Sequence, residues 1–155
     1  MNKLIIAVMY SFDEIYSKCK TILIDKYGGV LKEGKPYNFD KFTKYYSKEM
    51  GTDLIKRFLI FEKEIDKKDL IEVKKFITSV EKEFSVDDKR QINLDPGYVN
   101  SEELVLASFK TGTNYKEDLG EGVYAHKVLE FNPIKIFWHT FPDYRVKENQ
   151  EFFID

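Results

Sequence analysis

One amphipathic segment limits the choice of fold more than any other feature of this chain. Leu70, Val73, Ile77, Val80 and Phe84 recur at steps of 3, 4, 3 and 4, which lines five apolar side chains along one stripe of a helix. Such a stripe needs an apolar layer to cover it, and strand-like segments lie on both sides. Residues 55–64 (Ile-Lys-Arg-Phe-Leu-Ile-Phe-Glu-Lys-Glu) predict a strand before the helix, Asp66 is placed to cap its start, and Gln91–Leu94 predicts a strand after it.

The first forty residues extend the pattern. Leu4–Met9 is an apolar run of six residues, shorter than a signal-peptide core of roughly 7–15 or a membrane span of about 20, and predicts a buried first strand. Ser11-Phe12-Asp13-Glu14 has the form of a capping box. It precedes a helical stripe of Ile15, Cys19, Ile22 and Leu23 that ends at Gly28-Gly29. Val30–Phe39 predicts a second strand turning near Glu33-Gly34. The resulting order, β-α-β-β-α-β, is the ferredoxin-like arrangement. Beyond it Ser101 is placed to cap a short helix to about Phe109. Residues 114–131 predict a hairpin turning at Gly120-Glu121-Gly122, Ile134–Trp138 a further strand, and Val146–Phe153 a final helix. The fold class is therefore expected to be α+β: a ferredoxin-like βαββαβ core with a C-terminal β-hairpin/strand extension, in a single α+β domain over residues 1–155.

Charge narrows the function. The formal charge is −2, so bulk affinity for nucleic acid is not expected. A single cysteine, Cys19, forms no intrachain disulfide and fits a reducing cytoplasm, the expected location. It lies on an apolar helix stripe, which favours a core role over a nucleophilic one. The basic residues are 22 lysines and three arginines, so the positions that keep arginine are informative. Arg57, Arg90 and Arg145 each offer a planar five-donor fork that lysine cannot copy. Structural pairing with carboxylates and recognition of an anion both remain open for them.

Two polar motifs follow apolar stretches. In Asn93-Leu94-Asp95-Pro96-Gly97-Tyr98 the residue before proline is pushed out of the α region, and Pro96-Gly97 predicts a tight turn, type II, with Gly97 at positive φ. Asn93 and Asp95, two apart on a strand, share one face. The alternative is an Asx-type turn closed by Asp95 itself. In Thr140-Phe141-Pro142-Asp143-Tyr144-Arg145, the neighbour Arg145 could orient Asp143 or form an ordinary surface pair with it. If the motifs meet, Asp95 and Asp143 could share a proton, act as acid and base, or bind a divalent cation. Asp40–Leu54 is a connection of 15 residues rich in aromatics. It is either a binding loop or an extra helical turn packed on the sheet.

Several activities lack their sequence marks. No HExxH or paired-cysteine spacing accompanies His126 and His139, so no metal site is expected. No GxSxG elbow or Walker A run occurs, and Gly112 is followed by Thr-Asn-Tyr. The residues identify no cofactor.

Taken together, Phe42-Thr43-x-Tyr45-Tyr46-x-x-Glu49-Met50-Gly51, Arg57-Phe58, Asn93-Leu94-Asp95-Pro96-Gly97-Tyr98, Gly120-x-Gly122-Val123-Tyr124-Ala125 and Pro142-Asp143-Tyr144-Arg145 resemble domain-of-unknown-function family 4416. This is a prokaryotic family of small single-domain proteins, and the likeness covers nearly the whole chain. The resemblance implies no established activity; some members carry a GTP-binding label. The chain departs from the pattern at Ser108-Phe109-Lys110-Thr111 and Tyr115-Lys116, where the family tends to show Thr-Lys-Asp and then His-Arg. It departs again at His139, where an aromatic residue is usual.

The expectation is a site for a small polar or anionic ligand, such as a nucleotide or phosphorylated metabolite, with or without catalysis. Asp95 and Asp143 are the candidate catalytic or cation-holding groups. Tyr46, Glu49, Arg57, Asn93, Tyr98, Tyr144 and Arg145 are the candidate ligand-binding groups. The alternatives are a nucleic-acid module stacking bases on exposed sheet aromatics and a self-associating protein with the aromatic loop at its interface. No membrane partner is expected.

Overall fold

The computed structural model describes residues 1–111 and 116–154. Fifteen-residue helix α1 (Asp13–Tyr27) follows strand β1 (Lys3–Tyr10). Strands β2 (Val30–Glu33) and β3 (Tyr37–Asn38), the short helix α2 (Ser47–Met50) and strand β4 (Ile55–Glu64) come next. Helix α3 (Leu70–Glu83) then leads into β5 (Ile92–Val99) and β6 (Glu103–Ser108). The chain closes with β7 (Lys116–Gly120), β8 (Val123–Phe131), β9 (Ile136–Trp138), a 3-10 turn at Pro142–Arg145 and helix α4 (Lys147–Phe152). The described strands form one antiparallel sheet in the order β2-β4-β1-β5-β6-β8-β7, with β3 also on β4 and β9 also on β8.

Alternation sorts the side chains onto two faces. Leu4, Ile6 and Val8 of β1, Leu59 and Phe61 of β4, and Leu94 of β5 meet the apolar stripes of α1 and α3. The α3 stripe is confirmed: Leu70, Val73, Ile77 and Val80 are buried. Cys19 is buried in this layer, where loss of solvent pushes its thiol up to about 12. The opposite face, with Ile5, Ala7, Phe58 and Ile60, is covered by Tyr144 and Phe153 from the C-terminal segment. The 39–54 connection packs Phe39, Met50 and Leu54 against Met9 on that same face. It holds the helical turn of α2 and packs Phe39 on the sheet, while Tyr45 stays exposed.

Several sequence expectations need correction. Helix α1 starts after Phe12, and Ser11 makes no capping bond to it. The Asp66 cap is real but belongs to a 3-10 turn at Lys67–Asp69, closed reciprocally by Asp69. The expected helix from Ser101 is strand β6, hairpin-paired with β5; Leu104, Val105 and Leu106 between two partner strands bury better in a sheet. The hairpin is present as β7 and β8, with Glu121 and Gly122 at φ 54° and 79°, the positive pair that a two-residue hairpin requires. Its expected first two positions, 114 and 115, lie outside the described residues.

The largest correction concerns Pro96-Gly97. There is no turn: β5 runs straight through both residues. Gly97 has no positive φ; its need for hydrogen in place of a side chain is steric. A Cβ there would lie 1.9 Å from the Val105 carbonyl oxygen and 2.9 Å from Leu106 Cα. Pro96 marks the point where two strands part. β6 pairs with β5 at Gly97–Val99, while β6 continues to Ser108 on β8 and β5 extends back to Ile92 on β1. Residues 92–96 and 107–110 therefore form the two arms of a fork. The Leu94 N–H points into the fork, because its bond goes to the Glu81 carboxylate of α3 at 2.7 Å. Backbone N–H groups two residues apart point the same way on a strand, so position 96 faces the fork as well. Proline there leaves no orphan donor.

Candidate functional site

The fork opens into a cleft of about 430 Å³. Asn93, Asp95 and the Leu106–Lys110 stretch form its strand walls. Tyr45 and Tyr46 close one side, Phe141–Tyr144 another, and Lys56, Lys74 and Arg90 contribute cations. The two proline motifs thus converge, and Asp95 and Asp143 line the same cavity.

The two carboxylates are held differently. Asp143 is 2 % exposed. Its Oδ2 takes an ion pair from Lys56 Nζ at 2.8 Å and a hydrogen bond from the Tyr37 hydroxyl at 2.5 Å. Burial and this carboxylate push the Tyr37 phenol far above its usual range, so it remains a donor. Asp95 is half-buried at the cleft wall and accepts a bond from the Asn93 amide at 3.1 Å. A relay stands behind it. Glu49 grips Arg90 with both oxygens, at 2.9 Å to Nε and 3.0 Å to Nη2, and Arg90 Nη1 donates to Asn93 Oδ1 at 2.7 Å. The Glu49 carboxyl is held below its ordinary value by these bonds to Arg90. The chain Glu49–Arg90–Asn93–Asp95 fixes the orientation of the last carboxylate.

Behind the fork sits Glu81, 6 % exposed on α3. Burial pushes its carboxyl up to about 7, against the lowering effects of the Leu94 N–H, Lys74 and Arg90; Arg90 Nη1 stands 3.6 Å away. Lys74, 7 % exposed, points its ammonium over Phe109, 5.1 Å from the ring centroid. Lys110 lies over the rings of Tyr45 and Tyr46 at 5.1 and 5.8 Å. Among the described residues neither Lys74 nor Lys110 has a carboxylate at ion-pair distance, whereas Lys56 and Arg90 do.

Two features carry a cost that packing does not explain. The Tyr144 hydroxyl is fully buried without a hydrogen-bond partner among the described residues, which costs on the order of 1–3 kcal/mol. Phe141 holds φ 65°, ψ 110°, a conformation costing a bulky residue about 1–3 kcal/mol. Its carbonyl is fixed by Trp138 Nε1 at 2.9 Å. Strain and orphaned polar groups concentrate where a site has been shaped for something other than the free fold.

Of the residues singled out from sequence, Asp95, Asp143, Asn93, Tyr46 and Tyr144 line the cleft. Glu49 stands one layer behind, on Arg90. The other three lie elsewhere. Arg57 sits on the helix-covered face, with Glu33 at 3.5 Å, the Gly34 carbonyl at 3.1 Å and the Tyr16 ring beneath it. Adjacent strand residues face opposite ways, and Lys56 takes the place expected for Arg57. Tyr98 also faces the helices, donating to Glu103 at 2.6 Å. Arg145 is exposed and stacks on Trp138 at 5.3 Å. Lys56, Lys74, Lys110, Tyr37 and Glu81 were not foreseen. A signal for two of them exists: Lys74 and Glu81 flank the α3 stripe seven residues apart, both on its buried side.

His126 is buried, and its Nε2 lies 2.9 Å from the Lys110 carbonyl oxygen. Burial lowers its pKa, keeping the ring neutral at pH 7. His139 meets Glu130 at 3.1 Å. Among the described residues no three metal-binding side chains cluster. No described helix is long and apolar enough to cross a membrane.

An antiparallel α+β sheet with a charged cleft in a strand fork defines the structural class. The chain belongs to a family described as a domain of unknown function (DUF4416), whose model matches residues 1–155. No curated protein and no solved structure gives a match.

Proposed function

We propose that the protein binds a small anionic ligand in the strand fork. The observation that carries this reading is Lys74: a lysine nine-tenths buried, opening on a cavity, with no carboxylate at ion-pair distance among the described residues. A buried cation with no anion in contact is expensive; Glu81 acts on it only from beyond ion-pair distance, and an anion in the cleft would supply the contact. Lys110 at the mouth adds a second ammonium, and the exposed rings of Tyr45 and Phe109 add apolar wall. The cavity size falls within the range of small-molecule sites, about 300–1,000 Å³. If chemistry follows binding, Asp95 is the acid–base candidate, since Asp143 is engaged by Lys56 and Tyr37. The order β2-β4-β1-β5, antiparallel throughout, supports a ferredoxin-like core as the scaffold. The lone buried cysteine supports a cytoplasmic setting.

Base stacking on an open sheet finds less support, because the 39–54 connection and the C-terminal segment cover that face. Thermal-shift titration with inorganic phosphate and simple alkyl phosphates tests the anion reading. A ligand at 100 times its Kd stabilises by about 2.7 kcal/mol, or roughly 5–10 °C for a chain of this size. The shift is expected in the wild type and lost in Lys74→Met. Equal shifts in both proteins, or none in either, would refute it.

A further inference from the structure

The cleft carries charges of both signs, only some of which pair with one another. Lys56 and Asp143 pair at 2.8 Å, and Arg90 is satisfied by Glu49. Three wall charges remain without a described ion-pair partner: Lys74 and Lys110, positive, and Asp95, negative. Asp95 could have been left floppy and solvated, yet a relay of three side chains orients it, with the Asn93 amide on Oδ2. An oriented carboxylate in a cavity also lined by Leu106 and Phe141 loses water when a ligand enters. That loss is severe unless the ligand brings a cation or strong donor to it. A purely anionic ligand would meet repulsion there. The buried Tyr144 hydroxyl lies in the field of Asp143 and Asp95; Asp143 is neutralised by Lys56, which leaves Asp95 as the carboxylate without a described ion-pair partner.

We infer that the ligand is zwitterionic, an amine-bearing phosphate or carboxylate whose acidic group meets Lys74 and Lys110 and whose ammonium meets Asp95. This rests on the anion-binding reading of the same cleft and adds the second charge. The ammonium of such a ligand donates to Asp95 Oδ1 or Oδ2, and its acidic group replaces water at the two lysines. Charge complementarity of this kind discriminates as well as binds, because a ligand lacking the amine leaves the carboxylate buried and unpaired.

Calorimetric titration of the wild type with ω-aminoalkyl phosphates of two to six carbons, each against the matching alkyl phosphate, provides the test. At the best-fitting length the amine is expected to tighten binding at least tenfold. In Asp95→Asn that advantage should vanish while the alkyl phosphate binds as well as, or better than, in the wild type. The melting temperature of the unliganded variant confirms that it is folded. The comparison within the wild type stands without the variant. Alkyl phosphates that bind as tightly as their amino counterparts would overturn the zwitterion inference and leave the anion site intact. Alkyl phosphates that bind tightly only with added magnesium would assign Asp95 to a metal cation and overturn it too. Failure of both ligand series would remove the anion site itself.

Discussion

Glu81 makes the protein's stability depend on pH in the direction opposite to most carboxylates. Its carboxyl is buried, accepts the Leu94 N–H at 2.7 Å and faces Arg90, Lys74 and Asp95, with the Cys19 thiol within its field. The net effect raises its pKa from 4.5 to about 7. The folded state therefore holds the proton more tightly than the unfolded chain. The associated stability is fully present below pH 4.5 and is lost as pH rises through 7. Raising the carboxyl from 4.5 to about 7 amounts to roughly 3 kcal/mol between pH 4.5 and 8. For a chain of this length that is on the order of 6–12 °C in Tm. Glu81→Gln keeps an acceptor for Leu94 and cannot ionise. Urea unfolding of both proteins at half-unit steps from pH 5 to pH 8.5 isolates the group, because other titrations cancel in the difference. The variant should gain on the wild type steadily above pH 5 and level off past pH 8. A difference that stays flat across the range, or one that favours the wild type at high pH, would refute the assignment of Glu81 as a buried, proton-binding acid.

Lys56→Met leaves Asp143 buried without its cation and should cost about 3–5 kcal/mol in denaturant unfolding, with much of the loss recovered in Lys56→Met/Asp143→Leu. Gly97→Ala would drive a methyl group into the Val105 carbonyl, 1.9 Å from the ideal Cβ; a loss of at least about 4 kcal/mol, or failure to fold, is expected by circular dichroism. Tyr144→Phe removes an orphaned hydroxyl, so the unliganded protein should become more stable by about 1 kcal/mol by urea midpoint.

The amphipathic period of α3 and the apolar run of β1 were legible because each pattern matches its element locally. The fork was not legible. Pro96-Gly97 carries a strong turn signal, and what overrides it is tertiary: a neighbouring strand close enough to exclude a Cβ, and a second arm that diverges one residue earlier. The convergence of Asp95 and Asp143 followed from the cost of burying polar groups alone, which holds whatever the topology. Arg57 shows the limit of that logic. Its neighbour Lys56 is the residue beside Asp143, and nothing local tells which of two adjacent cations faces which layer. Glu33, on a strand 24 residues earlier in the chain, serves Arg57 instead.

The C-terminal segment that covers the second sheet face has a consequence for how the chain matures. Ile5, Ala7, Phe58 and Ile60 find their cover in Tyr144 and Phe153, which leave the ribosome after every strand of the sheet. At about 5–20 residues per second, a nascent chain that has already assembled β1 and β4 waits several seconds with this greasy surface bare. Lys56 and Tyr37 of the early strands anchor the late segment through Asp143. Translation arrest or termination between residues 139 and 141 would therefore release a sheet whose strands are complete and whose sticky side is open, a natural client for chaperones.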